Sequence, residues 1–419
     1  MKILVIGSGG REHAIVHKLS KSPHNPTIFV APGNAGMREL ATCVEIAVDD
    51  LEGLKHFALN ERIDLTVVGP ELPLVMGIVD MFEAEGLRIF GPNKKAAQFE
   101  GSKDFTKEFL IRHGIPTAKH ETHTELESAL GALKNFEYPV VIKADGLAAG
   151  KGVIIAENER EATNALHEIM DHKMFGASGD KVVLEAFLRG VEASVLCFVD
   201  GDTLLPMAPA QDYKKAYDDD LGANTGGMGT YSPSRIIDDA MMVHIQNRIL
   251  NPFIEGIKSD GIQYKGILFV GLMIQGDDIN VLEYNVRMGD PETEVTLPRM
   301  ENDLIDVMYA VIENRLNEVT LSWKKSHAVC VILASGGYPD AYDKGFPIYG
   351  LEEVSSESED AFVYHCGTRE HLGQVVTHGG RVLGITCLAE TLEKARHLAY
   401  QCVDRITFER CMYRKDIGK

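Results

Sequence analysis

Residues 143–152 read Lys-Ala-Asp-Gly-Leu-Ala-Ala-Gly-Lys-Gly, three glycines and two lysines in ten positions. Glycines at this density let backbone N–H groups approach a phosphate closely, and lysines supply charge. The phosphate loop that runs from a strand into a helix is excluded, because it needs four residues between its glycines and Ser or Thr after its lysine. Here three residues separate Gly146 from Gly150, and Gly152 follows Lys151. The flanks, 138–144 (YPVVIKA) and 153–156 (VIIA), both predict strands. The stretch is therefore the glycine turn of a hairpin with Lys143 at its root, suited to a flap over a polyphosphate. A surface hairpin with incidental lysines has the same local sequence, so the rest of the chain has to decide.

Upstream, the first hundred residues alternate strand-like and helix-like runs. KILVIG, TIFVA, CVEIAV, DLTVVGPE and RIFGP are the strands; 12–19, 51–60 and 75–85 are the helices. That alternation predicts βαβ units and a parallel sheet covered on both faces, with a ligand crevice at the carboxyl ends of its strands. Those ends carry Gly7-Ser-Gly-Gly-Arg-Glu12, Gly33-Asn34-Ala-Gly36 and Gly69-Pro-Glu71. A dinucleotide fingerprint needs glycine at position 12, which is Glu12, and an acidic residue after the second strand, which ends in Ala-Pro-Gly. A nicotinamide or flavin site is disfavoured. A glycine turn opening a helix, suited to a single phosphate, survives.

Composition bounds the rest. A length of 419 residues allows about three domains, and the edges fall near 102 and 326: 1–102, 103–325 with a small lid of about 121–190, and 326–419. No apolar run approaches a membrane span, and the N-terminal apolar stretch is too short for a signal peptide, so a cytoplasmic protein is expected. The seven cysteines are scattered, with no C-x-x-C pair, which predicts reduced thiols. A formal charge of −20 argues against nucleic acid or an anionic membrane as partner. An anionic small ligand remains possible if basic groups gather in one cleft.

The chemistry-bearing residues lie mostly between 103 and 293. Strand INVLEYNVR alternates its side chains and so predicts Ile279, Val281, Glu283 and Asn285 on one face, with two oxygen ligands suited to Mg²⁺. Arg287, Asp290 and Glu292 follow in the next turn, where Arg287 either grips a carboxylate or phosphate or pairs internally with Asp290. Asn224-Thr-Gly-Gly-Met-Gly229 offers closely spaced backbone donors, preceded by Asp212 and Lys214. Glu185 and Glu192 flank a strand exit whose backbone can read an adenine edge, while a carboxylate such as Glu192 accepts ribose hydroxyls. Each feature alone is compatible with a solvated loop or an exposed acid. Together with Lys103, they form equipment for activating a carboxylate with ATP, which requires neutralised phosphates and excluded water rather than a protein nucleophile.

These strings also carry a resemblance. IGSGGREHA, VAPGNAG, VVGPELPLV, GSKDFTK, VIKADGLAAGKGV, PMAPAQDYK, NTGGMG, EYNVRMGDPET, ASGGYP and CMYRKDIG, in this order, resemble the ATP-grasp enzymes, and specifically the phosphoribosylamine–glycine ligase (glycinamide ribonucleotide synthetase) family, over nearly the whole chain. The resemblance implies an α/β ATP-grasp fold with an N-terminal Rossmann-like domain, a central region with a lid and a C-terminal mixed α/β domain. It implies ATP, glycine and 5-phosphoribosylamine as substrates, a glycyl phosphate intermediate, Mg²⁺ or Mn²⁺, and a monomer or homodimer. By motif, Lys103 and Lys143 would contact phosphates, Glu185 and Glu192 adenosine, and Gly146, Gly150, Lys151 and Gly152 would form the lid. Glu283 and Asn285 would hold the metal. Arg287, Asp290, Asn224, Thr225, Gly226 and Gly227 would hold glycine or its acyl phosphate, and Gly10, Gly33, Asn34 and Glu71 would line the phosphoribosylamine crevice. Asp212 would take the amine's proton. The family usually has Phe where this chain has Met288, a change a thioether can absorb by filling the same gap. The competing readings are another ATP-grasp ligase that carboxylates its substrate, and a nucleotide-binding regulator without turnover.

Overall fold

Apolar runs separated by amphipathic ones can pair in parallel only if helices return the chain across the sheet. In the computed structural model, which describes residues 1–148, 152–355 and 360–419, the first hundred residues do this. Strand Lys2–Gly7 is central in a five-stranded parallel sheet, with Thr27–Pro32 and Thr42–Cys43 on one side and Leu65–Val68 and Ile89–Phe90 on the other. The strand order reverses between Thr27–Pro32 and Leu65–Val68, so the crevice expected at such a switch lies where Gly7, Gly33 and Gly69 end their strands.

Two elements differ from the sequence expectation. CVEIAV pairs only through Thr42–Cys43, because it is the sheet edge; beyond it Ile46 and Val48 pack on the core as irregular chain. The helix expected over 75–85 is two helices, Glu71–Met76 and Ile78–Ala84, because Gly77 adopts φ +100° between them and ends the first. Glu12 explains why a dinucleotide fingerprint fails here. Its carboxylate accepts the Gly9 N–H at 2.6 Å and fills the space against both strand ends, where a Cβ at Gly69 would lie 2.2 Å from Glu12 Oε1.

Two antiparallel sheets follow. The first has the order His120–His123, Val182–Ala186, Val140–Ala144, Val153–Ala156, and contains the hairpin read from sequence, with Lys143 opposite Val153. The second has the order Leu204–Pro206, Val191–Val199, Gly266–Gln275, Asp278–Asn285. A third sheet, built on His327–Ser335 and Arg381–Ala389, also takes Gln211–Asp212 and Gly229–Ser232 from before residue 326. The glycine-rich stretch between those two short strands is thereby fixed at both ends to the C-terminal part.

The elements meet around an aromatic knot. Phe99, 1% exposed, has ring centroids 5.1 Å from Phe105, 4.8 Å from Phe109, 5.3 Å from Phe253 and 6.0 Å from Tyr284. It joins the helices around residue 100 to the strand carrying Glu283 and Asn285. Phe99→Ala is expected to lower the unfolding free energy by about 3–5 kcal/mol, read from the denaturant midpoint at unchanged slope; a loss below about 1 kcal/mol would show that the knot is not a structural centre.

Candidate active site

The first two antiparallel sheets enclose a cavity of about 480 Å³. Strand alternation brings Phe269 and Met273 of Gly266–Gln275 to its wall and sends Val270, Leu272 and Ile274 into the core. The neighbouring strand does not keep its alternation. Gly271 pairs with Glu283 but Leu272 pairs with Val281, so Leu282 is an extra residue. This bulge corrects the sequence reading: Ile279 and Val281 face the core, and only after Leu282 do Glu283 and Asn285 turn to the cavity.

Helix Lys103–Arg112, capped by the Ser102 hydroxyl on the Phe105 N–H, presents Lys103 and Lys107 one turn apart to the same cavity. Lys103 Nζ donates to Gly146 O at 3.1 Å, tying the helix to the hairpin turn. Ser178 Oγ donates to Leu147 O at 2.8 Å from the other side. Leu147, Ala148 and Gly152 line the cavity; Gly150 and Lys151 lie outside the described residues. Glu185 is 2% exposed and sits 2.9 Å from both Lys107 Nζ and Lys143 Nζ. Its carboxylate is therefore engaged by lysines rather than turned to a ribose. Burial alone would raise its pKa, but Lys143 and Lys107 hold it below the usual carboxylate range.

Glu283 faces Lys214 at 3.8 Å and accepts from Asn285 Nδ2 at 3.3 Å. Burial opposes its charge, yet Lys214, Lys143 and Lys103 pull its pKa down to about 2. Burial pushes Lys107 down to about 8, against the pull of Glu185. Lys103, Lys107, Lys143 and Lys214 thus surround Glu185 and Glu283, leaving positive charge to spare in a chain of net charge −20. Glu192 stands further out, exposed and 3.6 Å from Lys214.

Beyond Glu283 the cavity changes character. Arg287 Nη2 donates to Glu100 at 2.7 Å and to Asn285 Oδ1 at 3.1 Å, and its Nε lies 3.6 Å from Glu71. The internal partner read from sequence, Asp290, instead pairs with Arg381 at 3.0 Å. Burial raises Glu100 to about 7 despite Arg287, with the Glu71 charge adding to the effect. Asp212 is raised well above the usual range by burial and then by Glu292.

Asn224, Thr225 and Gly226 line this end with Asp290 and Glu71, whereas Gly227, at φ +114°, packs behind them against Asp212 and Pro291. Gly10, Gly33 and Asn34 are not brought to the cavity wall. Asn34 is used structurally, donating to Ser8 O and His365 O and accepting from the Gly36 and Met37 N–H groups. Met288 is buried in a core cluster with Ile15, Val67 and Phe90, as a gap-filling thioether should be. Lys107, Glu100, Arg11 and Arg381 are site residues that the sequence reading missed. Lys107 was findable as the fourth residue after Lys103 on one helix.

The fold and charge pattern have counterparts. Models of the phosphoribosylglycinamide synthetase N, ATP-grasp (A) and C domains match residues 1–100, 101–293 and 328–419. The chain belongs to the phosphoribosylglycinamide synthetase family. A phosphoribosylamine–glycine ligase from Caldanaerobacter subterraneus subsp. tengcongensis is 51% identical over 418 residues, covering 100% of this chain and 99% of that protein. The crystal structure of the Thermotoga maritima phosphoribosylamine–glycine ligase superposes with a TM-score of 0.86 at 33% identity, covering 99% of this chain and 100% of that one. The biotin carboxylase domain of Hydrogenobacter thermophilus 2-oxoglutarate carboxylase, solved with MgADP and bicarbonate, shares the fold at a TM-score of 0.75 and 15% identity, with 98% and 91% covered.

Within this family chain, Glu185 is the buried counter-charge of two lysines. Glu185→Gln leaves two ammonium groups facing a neutral amide and is expected to cost about 3–5 kcal/mol of stability, measured by chemical denaturation. Retention of wild-type stability would show that the lysines are solvated without it.

Proposed function

We propose that this chain joins glycine to 5-phosphoribosylamine at the expense of ATP, giving glycinamide ribonucleotide, ADP and phosphate in purine biosynthesis. The observation that carries this reading is the chamber of four lysines around Glu185 and Glu283, with Leu147, Ala148 and Gly152 on its wall, in a chain that matches its family from end to end. In this reading Lys103 and Lys143 neutralise the triphosphate, and Lys107 and Lys214 strengthen the field. Ala186, Phe187 and Leu188 form the strand exit against which an adenine edge fits, with Glu192 towards the ribose. Gly146 and Gly152 are assigned to the phosphates as part of a lid spanning about 121–190, as are Gly150 and Lys151, which lie outside the described residues.

Glu283, kept ionised, and the Asn285 amide oxygen, which here accepts from Arg287 Nη2, would supply the hard oxygen donors that suit Mg²⁺ or Mn²⁺. Such an ion supplies charge neutralisation for the transferring phosphoryl group. Arg287, steadied by Glu100 and Glu71, directs a guanidinium at the glycine carboxylate, which takes the phosphoryl group as glycyl phosphate. Asp290 and the 224–227 loop hold that acyl phosphate for attack by the amine of phosphoribosylamine, which displaces phosphate; the sugar phosphate is assigned to the Glu71 side, towards Gly10, Gly33 and Asn34. Asp212 takes the amine's proton as the new bond forms. No described helix is long and apolar enough to cross a membrane, and all seven cysteines are free thiols, in keeping with the cytoplasm.

ADP release is the direct test. With ATP and Mg²⁺, release is expected to require glycine and freshly prepared phosphoribosylamine together. Release that ignores glycine and responds to bicarbonate would replace this reading with a carboxylating ligase.

A further inference from the structure

Two glycine-bearing turns of the C-terminal third, Gly336-Gly337-Tyr338 and Gly379-Gly380-Arg381, have no role in the scheme above. They are built against each other. Ser335 donates its N–H to Gly380 O at 2.8 Å and its hydroxyl to Gly379 O at 2.9 Å. The Tyr338 ring lies on Gly380 so closely that a Cβ there would be 2.2 Å from it, and Gly337 turns the chain at φ +106°. Tyr338 and Arg381 emerge side by side as a result.

Both reach the same residue of the 224–229 loop, one on each of its two peptide groups. The Gly226 N–H donates to Tyr338 Oη at 3.0 Å, and Gly226 O accepts from Arg381 Nη1 at 2.7 Å. The same Nη1 donates to Asp290 O at 2.9 Å and lies 3.0 Å from Asp290 Oδ1. The guanidinium lies against Gly226, whose missing Cβ would sit 3.0 Å from Arg381 Cζ. One planar cation therefore joins the glycine loop to the Asp290 turn, while a phenol holds the loop from its other edge.

We infer that Arg381 and Tyr338 are positioning residues for the ligation, clamping Gly226 and Asp290 at the cavity end remote from the hairpin lysines. The loop needs a clamp because its glycines carry more backbone entropy than any other residue, and misplacement by about 1 Å costs up to about 100-fold in rate. A lysine in place of Arg381 keeps a donor but lacks the planar guanidinium face that lies against Gly226, so it does not hold loop and turn in the same geometry. The inference rests on the ligase reading and deepens it by assigning a role to the C-terminal part.

The test compares full-length Tyr338→Phe, Arg381→Lys and Arg381→Ala with wild type. Measured quantities are the dissociation constant of a non-hydrolysable ATP analogue with Mg²⁺, and kcat and KM for glycine and phosphoribosylamine. The clamp predicts analogue affinity within about twofold of wild type, with kcat/KM for phosphoribosylamine down about tenfold or more in Tyr338→Phe and further in Arg381→Ala. Arg381→Lys is expected not to restore it. If Arg381→Ala does not fold, Tyr338→Phe decides alone, since it removes a single oxygen. Variants that match wild type, or that lose nucleotide affinity in step with turnover, would overturn the clamp. A wild type that leaves both substrates unjoined would overturn the ligase reading and the clamp with it.

Discussion

The structure depends on keeping several like charges together where water is scarce. Buried ions are costly to desolvate, and here the cost is offset by interleaving signs: Glu185 between Lys107 and Lys143, and Glu283 facing Lys214. At the hairpin end the interleaving is incomplete, with four lysines against Glu185, Glu283 and the outer Glu192, and the local excess defines what this end takes in. An acidic protein can thereby hold a polyphosphate, because the local field and not the net charge governs a ligand in an enclosed cleft. The elements that deliver these residues are unrelated in sequence: a helix, the root of a hairpin, two further strands and the short link that carries Lys214. None of them makes the site alone.

The second constraint is geometric. A strand between a core and a cavity must present apolar residues to one and oxygen donors to the other, and strict alternation would force both onto one face. The extra residue at Leu282 resolves this by changing the facing of the strand midway. Gly271 opposite lacks the Cβ that would lie 3.2 Å from Glu283 Cγ. Core packing through Ile279 and Val281 and cavity chemistry through Glu283 and Asn285 thus share one strand. The C-terminal part enters by a comparable economy, lending its sheet to the strands on either side of the glycine loop and its side chains to the loop itself.

Much of this was legible in the sequence where the determining interactions are local. The parallel strands announced themselves as apolar runs ending in glycine, and the hairpin as two such runs around a glycine turn. The third strand was overread because apolar content does not reveal a sheet edge. Glu283 and Asn285 were found together, although the alternation used to group them with Ile279 and Val281 is broken by a bulge that side-chain pattern cannot show. Lys107 was open to discovery through helical spacing. Arg381 was not, since its contact with Gly226 spans 155 residues and exists only once the third sheet has formed. The same holds for Asp290, whose partner was sought next door in Arg287 and lies across the site.

The most direct measurement is a crystal structure with glycine, Mg²⁺ and a non-hydrolysable ATP analogue bound. The account predicts the γ-phosphate about 3 Å from the Lys143 ammonium, the metal on the oxygens of Glu283 and Asn285, and the glycine carboxylate beside Arg287. A triphosphate directed away from Lys103 and Lys143, with its metal held by other groups, would contradict it.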